Sequence, residues 1–303
     1  MTRTPQISRL ADGKRLHLQD GPIDLIVEGN GSTAAIAAAY QAAIGRFTGL
    51  LDELCDELPV LRQPADSRSC APQGKVARRM HAAVAPFADE HFITPLAAVA
   101  GAVAEEILGA MLGAARLERA YVNNGGDIAL YLAEGEHFTV GLVDRPDQPG
   151  LIGTTVIEAA DPSRGIATSG RHGRSFSLGI ADAVTVLART ASEADAAASI
   201  IANAVDLPDH PAIVRRPAEE LQPDSDLGTR LVTRHVGVLE EFEVASALEA
   251  GAAKARRLLA AGLIEAAALR LNGETRMVAL RKLDGGVSHP SSRRTALESM
   301  THA

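Results

Sequence analysis

The residues best suited to chemistry are concentrated in one short stretch that holds two glycines, two amides and an acid. They are Asn123, Asn124, Gly125, Gly126 and Asp127, with apolar residues on both sides. Glycine has no Cβ, so its backbone N–H groups can approach a ligand closely, and successive N–H groups form a concavity that suits phosphate. A tight turn between two strands explains the same residues, because Asn-Gly and Gly-Asp are common in turns. The stretch therefore predicts either a ligand-binding loop or a simple turn.

A second stretch of small and hydroxyl residues follows further along the chain. It comprises Ala167, Thr168, Ser169 and Gly170, and it lies between Arg164 and Arg171. Hydroxyl and backbone N–H groups can hold a phosphate, and an arginine can add bidentate contacts. This second stretch favours the ligand-binding interpretation of the first one.

A carboxylate and a hydroxyl stand four residues apart at the start of a predicted helix. Asp195 and Ser199 therefore share one helix face. One carboxylate, one hydroxyl and a carbonyl, together with phosphate oxygens and water, make a suitable Mg²⁺ shell. Alternatively, Asp195 is a first-turn acid that favours the helix dipole, or it forms a capping box with Ser192. The pattern leaves these explanations open.

His172 is a candidate general acid or base, although an ordinary surface histidine explains it equally well. The sequence contains no GxSxG, HExxH or P-loop motif, so no catalytic residue is assigned.

Composition narrows the class of protein. The chain has 303 residues, 46% hydrophobic and 3% aromatic, with no Trp and a net charge of −8. Without a long basic run, nucleic-acid binding is not expected. Cys55 and Cys70 form no CxxC pair, and Cys55 is interpreted as a core or boundary residue of a reduced, cytoplasmic protein. Residues 93–115 are apolar but carry Glu105 and Glu106, so no membrane span is expected.

We expect a single domain over residues 15–283, between a flexible N-terminus at 1–14 and a flexible tail at 284–303. The predicted helices cover residues 34–58, 74–87, 95–115, 192–205 and 240–261. The predicted strands cover residues 15–18, 23–27, 119–122, 128–133, 138–142, 154–158, 183–188, 231–239, 266–271 and 277–280. Residues 144–150 are predicted to form a turn-rich loop and residues 206–228 a surface loop.

At these residues the chain resembles the ApbE-like superfamily of FAD:protein FMN transferases, and more closely its UPF0280 branch. The resemblance spans about residues 15–280 and rests on Gly21–Asp24, Ile93–Gly101, Tyr121–Leu130, Gly165–Gly170, Ser175–Ala188 and Ile201–Val205. It implies an α+β fold of the ApbE-like, T-fold-like kind, with antiparallel sheets and packed Ala-rich helices.

The same resemblance implies a cleft for a flavin nucleotide, FAD or FMN. The transferases have an Asn-x-Gly-Gly stretch, matched by Asn123–Gly126, and an Ala-Thr-Ser-Gly stretch, matched by Ala167–Gly170. Their magnesium site uses an Asp and a Thr four residues apart, matched by Asp195 and Ser199. A backbone carbonyl from the region Ala97–Gly101 completes that Mg²⁺ site in the family.

The chain also departs from the transferases. Their His-x-x-Asp-Pro segment is absent, because Ser175–Asp182 leads directly into a strand, and Ala100 and Glu105 replace a lysine and another acid. The leading hypothesis is an Mg²⁺-dependent flavin transferase-like activity or hydrolysis of the FAD pyrophosphate. The alternative is a non-catalytic accessory or carrier protein for a redox or sulfur-assimilation system. Relatives joined to ferredoxin-like reductase modules imply an iron–sulfur or redox partner, and the Ala-rich helices allow a homo-oligomer.

Overall fold

The computed structural model of the protein describes residues 4–65, 71–143 and 151–279. The described residues form the β strands β1 (Gln6–Arg9), β2 (Leu16–Asp20), β3 (Ile23–Asn30), β4 (Arg119–Asn124), β5 (Asp127–Leu132), β6 (His137–Val143), β7 (Leu151–Glu158), β8 (Gly165–Ser169), β9 (Ala183–Ala188), β10 (Ile213–Pro217), β11 (Leu231–Val236), β12 (Ala266–Leu271) and β13 (Glu274–Ala279). The α helices are α1 (Thr33–Phe47), α2 (Leu50–Asp56), α3 (Leu58–Leu61), α4 (Lys75–Val84), α5 (Val99–Ala114), α6 (Ala191–Ala204), α7 (Ala218–Leu221) and α8 (Glu241–Ala260).

Nine of these strands form one antiparallel sheet in the order β1-β2-β3-β4-β5-β8-β9-β12-β13. The strands β6 and β7 pair separately, as do β10 and β11. Alternate residues of β2 and β3 are buried, as expected for strands with one face against a core. The helices α5, α6 and α8 contact this sheet and supply many of the buried alanines. The α+β class with antiparallel sheets and packed Ala-rich helices is therefore confirmed.

Close backbone packing joins the start of α5, the start of β8 and the start of α6. A Cβ on Gly101 would lie 2.2 Å from the carbonyl oxygen of Ala191, and one on Gly165 would lie 2.0 Å from that of Thr190. Neither position can hold a larger residue without a shift of the backbone. The two glycines thus set how closely the three elements approach one another.

A buried acid ties three helices together on the other side of α5. Glu106 is 4% exposed and accepts from Arg46 Nε at 2.8 Å and Arg79 Nη1 at 3.1 Å, with Lys75 Nζ at 3.2 Å. Burial alone would raise the pKa of Glu106, but the three cations outweigh it and hold that pKa below its usual value. Two of the basic residues of α4, Lys75 and Arg79, are therefore engaged in structural ion pairs.

The structure differs from the expected elements at several places. The helix expected at 34–58 is divided into α1, α2 and α3, and the first break is at Gly49, whose φ is +84°. The N-terminus expected to be flexible over 1–14 contains β1, which pairs with β2 through backbone hydrogen bonds. The surface loop expected at 206–228 contains β10, which pairs with β11. Cys55, expected at a core or boundary position, is exposed.

Within the described part of the chain, one helical stretch is long and apolar enough, by length and composition, to cross a membrane: Pro95–Ala114. Their mean hydropathy is 1.6, and half of the stretch is buried in the protein. The helix α5 packs against α1, α4, α6 and the sheet, as a core helix does. Cys70, the loop expected at 144–150 and the tail expected at 284–303 lie outside the described residues.

Candidate functional site

The Asn-Asn-Gly-Gly-Asp stretch connects β4 to β5 by a two-residue turn. Asn124 and Asp127 are direct partners in the antiparallel register, and Gly125 and Gly126 have φ values of +67° and +114°. The backbone N–H of Gly126 donates to Oδ1 of Asn123 at 2.8 Å, which fixes the turn. Two positive φ values explain the two glycines, because other residues are strained there. The turn interpretation is thus correct, and the ligand-binding interpretation depends on what surrounds the turn.

Asp127 connects this turn to the second stretch. Its Oδ1 accepts the backbone N–H of Thr168 at 3.2 Å. This stretch, which is not among the predicted strands, is the end of β8, in which Ala167 is buried and Thr168 is exposed. Ser169 is half-buried, and Gly170 follows the strand. The hydroxyl of Thr168 is paired with that of Thr185 at 2.9 Å.

Asp195 lies opposite, in the second turn of α6, and binds the start of α5. Its Oδ2 accepts the backbone N–H of Gly101 at 3.1 Å, and the N–H of Ala100 also contributes. These N–H groups belong to the first turn of α5, where the helix itself supplies no acceptor. Asp195 therefore caps α5 from a neighbouring helix. Ser199, one turn later on the same face of α6, is half-buried.

Asp127 and Asp195 are both half-buried, and the pKa of each is raised. Burial raises the pKa of Asp127 from 3.8 to about 7, although the N–H of Thr168 and the guanidinium of Arg174 act in the opposite direction. Burial likewise raises the pKa of Asp195, and the negative charge of Asp127 raises it further. Asp195 contacts Gly101 at the start of α5, and Asn124, the register partner of Asp127, contacts the adjacent Ala100. Turn, strand end and helix thus meet around this pair.

Asn124 connects the turn to α5. Its Nδ2 donates to the carbonyl oxygen of Ala100 at 3.2 Å. The region Ala97–Gly101, matched to a magnesium-site carbonyl by resemblance alone, therefore lies beside both Asn124 and Asp195.

The expected capping box of α6 is corrected by the structure. Thr190 is the N-cap, and its hydroxyl accepts the N–H of Glu193 at 3.3 Å. Ser192 donates its N–H and its hydroxyl to Oε1 of Glu105, both at 2.7 Å. Oε2 of Glu105 pairs with Nε of Arg79 at 3.1 Å. Glu105 thus anchors the helix that carries Asp195, a role that only the contact between α5 and α6 reveals.

The basic residues near the site are arranged differently from expectation. Arg164 donates to the carbonyl oxygens of Ala159, Asp161 and Ser163, so it holds a local turn. Arg171 and His172 both contact Oδ1 of Asp182, at 2.6 Å and 3.2 Å. Neither arginine is available in the way the sequence predicted, since their guanidinium groups are already engaged.

Arg174 occupies the position expected for those arginines. Its guanidinium lies so close to Gly125 that an added Cβ would be 2.2 Å from Nη2, and Nη1 donates to the carbonyl oxygen of Pro22 at 3.2 Å. Arg174 is exposed and acts electrostatically on Asp127. The exposed cation therefore lies beside the turn that carries Gly125 and Asp127. Sequence alone gave no signal that distinguished Arg174 from Arg171.

The donor atoms around the two acids suit a hard cation. They are carboxylate, hydroxyl and carbonyl oxygens, the ligands preferred by Mg²⁺, and the buried Oδ1 of Asn124 has no hydrogen-bond partner among the described residues. Within those residues no group of three or more His, Cys, Asp or Glu side chains is placed to hold a metal. The site therefore fits magnesium better than a transition metal.

Fold and site together define an α+β protein in which a glycine turn, a strand end and a helix enclose an acid pair. The chain belongs to the family described as AbpE bacteria, whose model matches residues 7–277. It is 39% identical over 148 residues to a UPF0280 protein of Methanopyrus kandleri, covering 48% of this chain and 55% of that protein. It is 38% identical over 130 residues to a UPF0280 protein of Methanothermobacter thermautotrophicus, covering 42% and 48%.

The chain spans about half the length of these curated relatives. Among solved structures, it is similar to the apo form of the flavinyl transferase ApbE of Pseudomonas stutzeri, at 12% identity and a TM-score of 0.47. That similarity covers 90% of this chain and 94% of the Pseudomonas protein. The expected membership of the UPF0280 and ApbE-like group is confirmed by the family match and the curated relatives.

Proposed function

We propose that this protein binds a flavin nucleotide, FAD or FMN, together with Mg²⁺ at the site around Asp127 and Asp195. One observation carries the proposal: three stretches that are far apart in the sequence meet around two carboxyls that lack an ion-pair partner within the described residues. Uncompensated acids in a poorly solvated place are costly unless a cation joins them. The flavin part of the proposal follows from the family resemblance of Asn123–Gly126 and Ala167–Gly170.

In this proposal the negatively charged end of the nucleotide lies over the glycine turn. Gly125 and Gly126 leave the backbone uncovered, Ser169 offers a hydroxyl, and Thr168 lies exposed at the strand end. Arg174 beside the turn is an exposed donor for phosphate oxygens, in place of Arg164 and Arg171. In the metal-free protein Asp127 keeps its proton up to near-neutral pH, so it can release that proton when a cation binds.

Asp195 and Ser199 are the residues that would hold Mg²⁺ in this proposal. Both lie on the face of α6 that meets the start of α5. When bound, Mg²⁺ neutralises phosphate oxygens and so assists cleavage of a pyrophosphate bond. The activity that follows is transfer of a flavin nucleotide to an acceptor, or hydrolysis of FAD to FMN and AMP.

The first test measures FAD binding and turnover with the full chain. FAD titrations followed by flavin fluorescence, with Mg²⁺ or with EDTA, should show saturable binding that Mg²⁺ tightens, and chromatography should detect FMN and AMP. The Asp195→Asn variant should lose the Mg²⁺ effect, whereas Asp89→Asn, an exposed acid in a surface turn, should retain it. Wild-type protein that binds neither FAD nor FMN would refute the proposal.

A second candidate is a non-catalytic accessory or carrier protein for a redox or sulfur-assimilation system. The observation that favours it is the segment after Gly170, where the family's histidine segment is missing. There His172 is paired with Asp182, whose other oxygen accepts the N–H of Asn272 at 2.6 Å. Under this alternative the purified protein is colourless, shows no Mg²⁺-dependent turnover, and co-purifies with an iron–sulfur or sulfur-handling protein.

A further inference from the structure

Asn124 carries a buried acceptor that the fold leaves unsatisfied. The side chain is 4% exposed, and its Nδ2 donates to the carbonyl oxygen of Ala100. Its Oδ1 has no hydrogen-bond partner among the described residues. Exchanging the two amide atoms would not help, because Oδ1 would then face the carbonyl oxygen of Ala100. A buried acceptor without a donor is destabilising, so we expect this oxygen to bind a partner from outside the chain.

The sheet register brings this oxygen next to the acid pair. Asn124 and Asp127 are directly opposed in the β4–β5 register. Directly opposed residues project from the same face of a sheet, with Cβ atoms about 5 Å apart. The amide also contacts Ala100, which precedes the Gly101 whose N–H binds Asp195. The orphan oxygen of Asn124 and the carboxyls of Asp127 and Asp195 thus border one small volume.

Water and a divalent cation are the two occupants that this volume can take. Water can donate to Oδ1, but it brings no positive charge to the carboxyls of Asp127 and Asp195. A divalent cation can take all three oxygens as ligands, and its charge favours both carboxyls in their ionised form. The nearby cation Arg174 is exposed beside the turn and forms no ion pair with either acid in the described structure. A divalent cation therefore accounts for the orphan oxygen and for the acid pair together.

We propose that Oδ1 of Asn124 is a ligand for a divalent cation held jointly by Asp127 and Asp195. This inference rests on the proposed function, and it adds two ligands from the β4–β5 turn to the Asp195 and Ser199 pair. It makes the turn a part of the cation site itself, in addition to its proposed contact with the nucleotide. Asn124 then links occupancy of the cation site to the conformation of the turn that carries Gly125 and Gly126.

The test is calorimetric titration of Mn²⁺ and Mg²⁺ into the metal-free full chain, paired with thermal unfolding with and without each metal. Asn124→Leu keeps the shape of the side chain but removes both polar atoms. It should weaken Mn²⁺ binding at least tenfold, while the melting temperature of the metal-free variant should change little, because removal of the orphan acceptor offsets the lost bond from Nδ2 to Ala100. Asn124→Asp keeps the oxygen and should bind Mn²⁺ within about threefold of wild type or more tightly.

The matched control is Asn203→Leu. The Oδ1 of Asn203 accepts the N–H of Leu178 at 3.0 Å, so its loss should lower the melting temperature and leave Mn²⁺ affinity unchanged. Wild-type affinity in Asn124→Leu would overturn the inference. If Ser199→Ala alone weakened binding, the proposed function would stand and the role of Asn124 would fall. If wild type bound neither metal, both would fall.

Discussion

Replacement of Asp127 by Asn is expected to stabilise the metal-free protein at neutral and mildly alkaline pH. Asn retains an oxygen to accept the N–H of Thr168, and it never carries the charge that the site disfavours. Raising the pKa of Asp127 from 3.8 to about 7 corresponds to at most about 4 kcal/mol, at about 1.4 kcal/mol per pH unit. Because part of the carboxyl remains open to solvent, we expect Asp127→Asn to raise the free energy of unfolding by about 1–2 kcal/mol at about pH 8.

The direction in which stability changes with pH depends on the pH at which the Asp127 carboxyl loses its proton in each state. In the unfolded chain the carboxyl loses its proton near 3.8, whereas in the folded protein it keeps it up to about 7. Wild-type stability from this group is therefore complete below about pH 4 and falls until about pH 7, above which it stays constant. Asp127→Asn lacks that decline, so the stability difference between variant and wild type should open across this interval.

Urea unfolding in EDTA at several values between about pH 4 and about pH 8 measures this difference. Asp89→Asn is the control, because that acid is exposed in a surface turn and its replacement should not change the pH profile. Parallel stability profiles for wild type and Asp127→Asn would refute the reasoning, as would a variant that is less stable at about pH 8. In excess Mg²⁺ the order should reverse, because only wild type retains the second carboxyl ligand.

Three further predictions concern the surrounding structure and its charges. Gly101→Ala should destabilise the protein by more than about 2 kcal/mol in urea unfolding, because the new Cβ would lie 2.2 Å from the carbonyl oxygen of Ala191. Gly109→Ala, on the exposed face of the same helix with no atom within 4 Å, should instead stabilise by about 0.5–1 kcal/mol, and equal effects of the two changes would contradict the packing described. Glu106→Gln should cost about 3 kcal/mol because three cations lose their shared carboxylate, and a change below about 1 kcal/mol would show that solvent already screens them. Calorimetric Mn²⁺ affinity should rise as pH increases toward and through about 7, with release of protons, because the raised pKa values make protons compete with metal; a flat profile would exclude that competition.

Local sequence patterns predicted the structure correctly where one short segment determines its own conformation. Alternating residues around Gly21-Pro22 predict the hairpin formed by β2 and β3. Asn272-Gly273 predicts the last hairpin, and both of these turn residues have positive φ. The strand β8 was missed because its first three residues are all buried, so no alternation marks it.

Within the site, the sequence indicated which residues could bind a ligand, but it did not indicate which residues contact them in the fold. The sequence pattern placed Asp195 in the first turn of a helix, where an acid usually favours the helix dipole, yet it lies in the second turn of α6 and caps another helix at Gly101. Nothing near Asp195 in the sequence indicates that contact, because it depends on the packing of α5 against α6. The same holds for Arg174, whose position over Gly125 depends on how the chain leaves β8.

The strand order also has a kinetic consequence. Asn30 pairs with Arg119 across all of α1–α5, and Ala183 pairs with Arg270 across α6–α8, so the β3–β4 and β9–β12 pairings form only after long stretches of chain have been closed. Such long-range pairings fold slowly. The turn, β8 and α6 lie between these two closures in the sequence, whereas Pro22, which accepts from Arg174, lies before the first one. A ligand that requires the complete site, with Arg174 in place, should therefore slow unfolding in kinetic experiments while leaving the refolding rate unchanged.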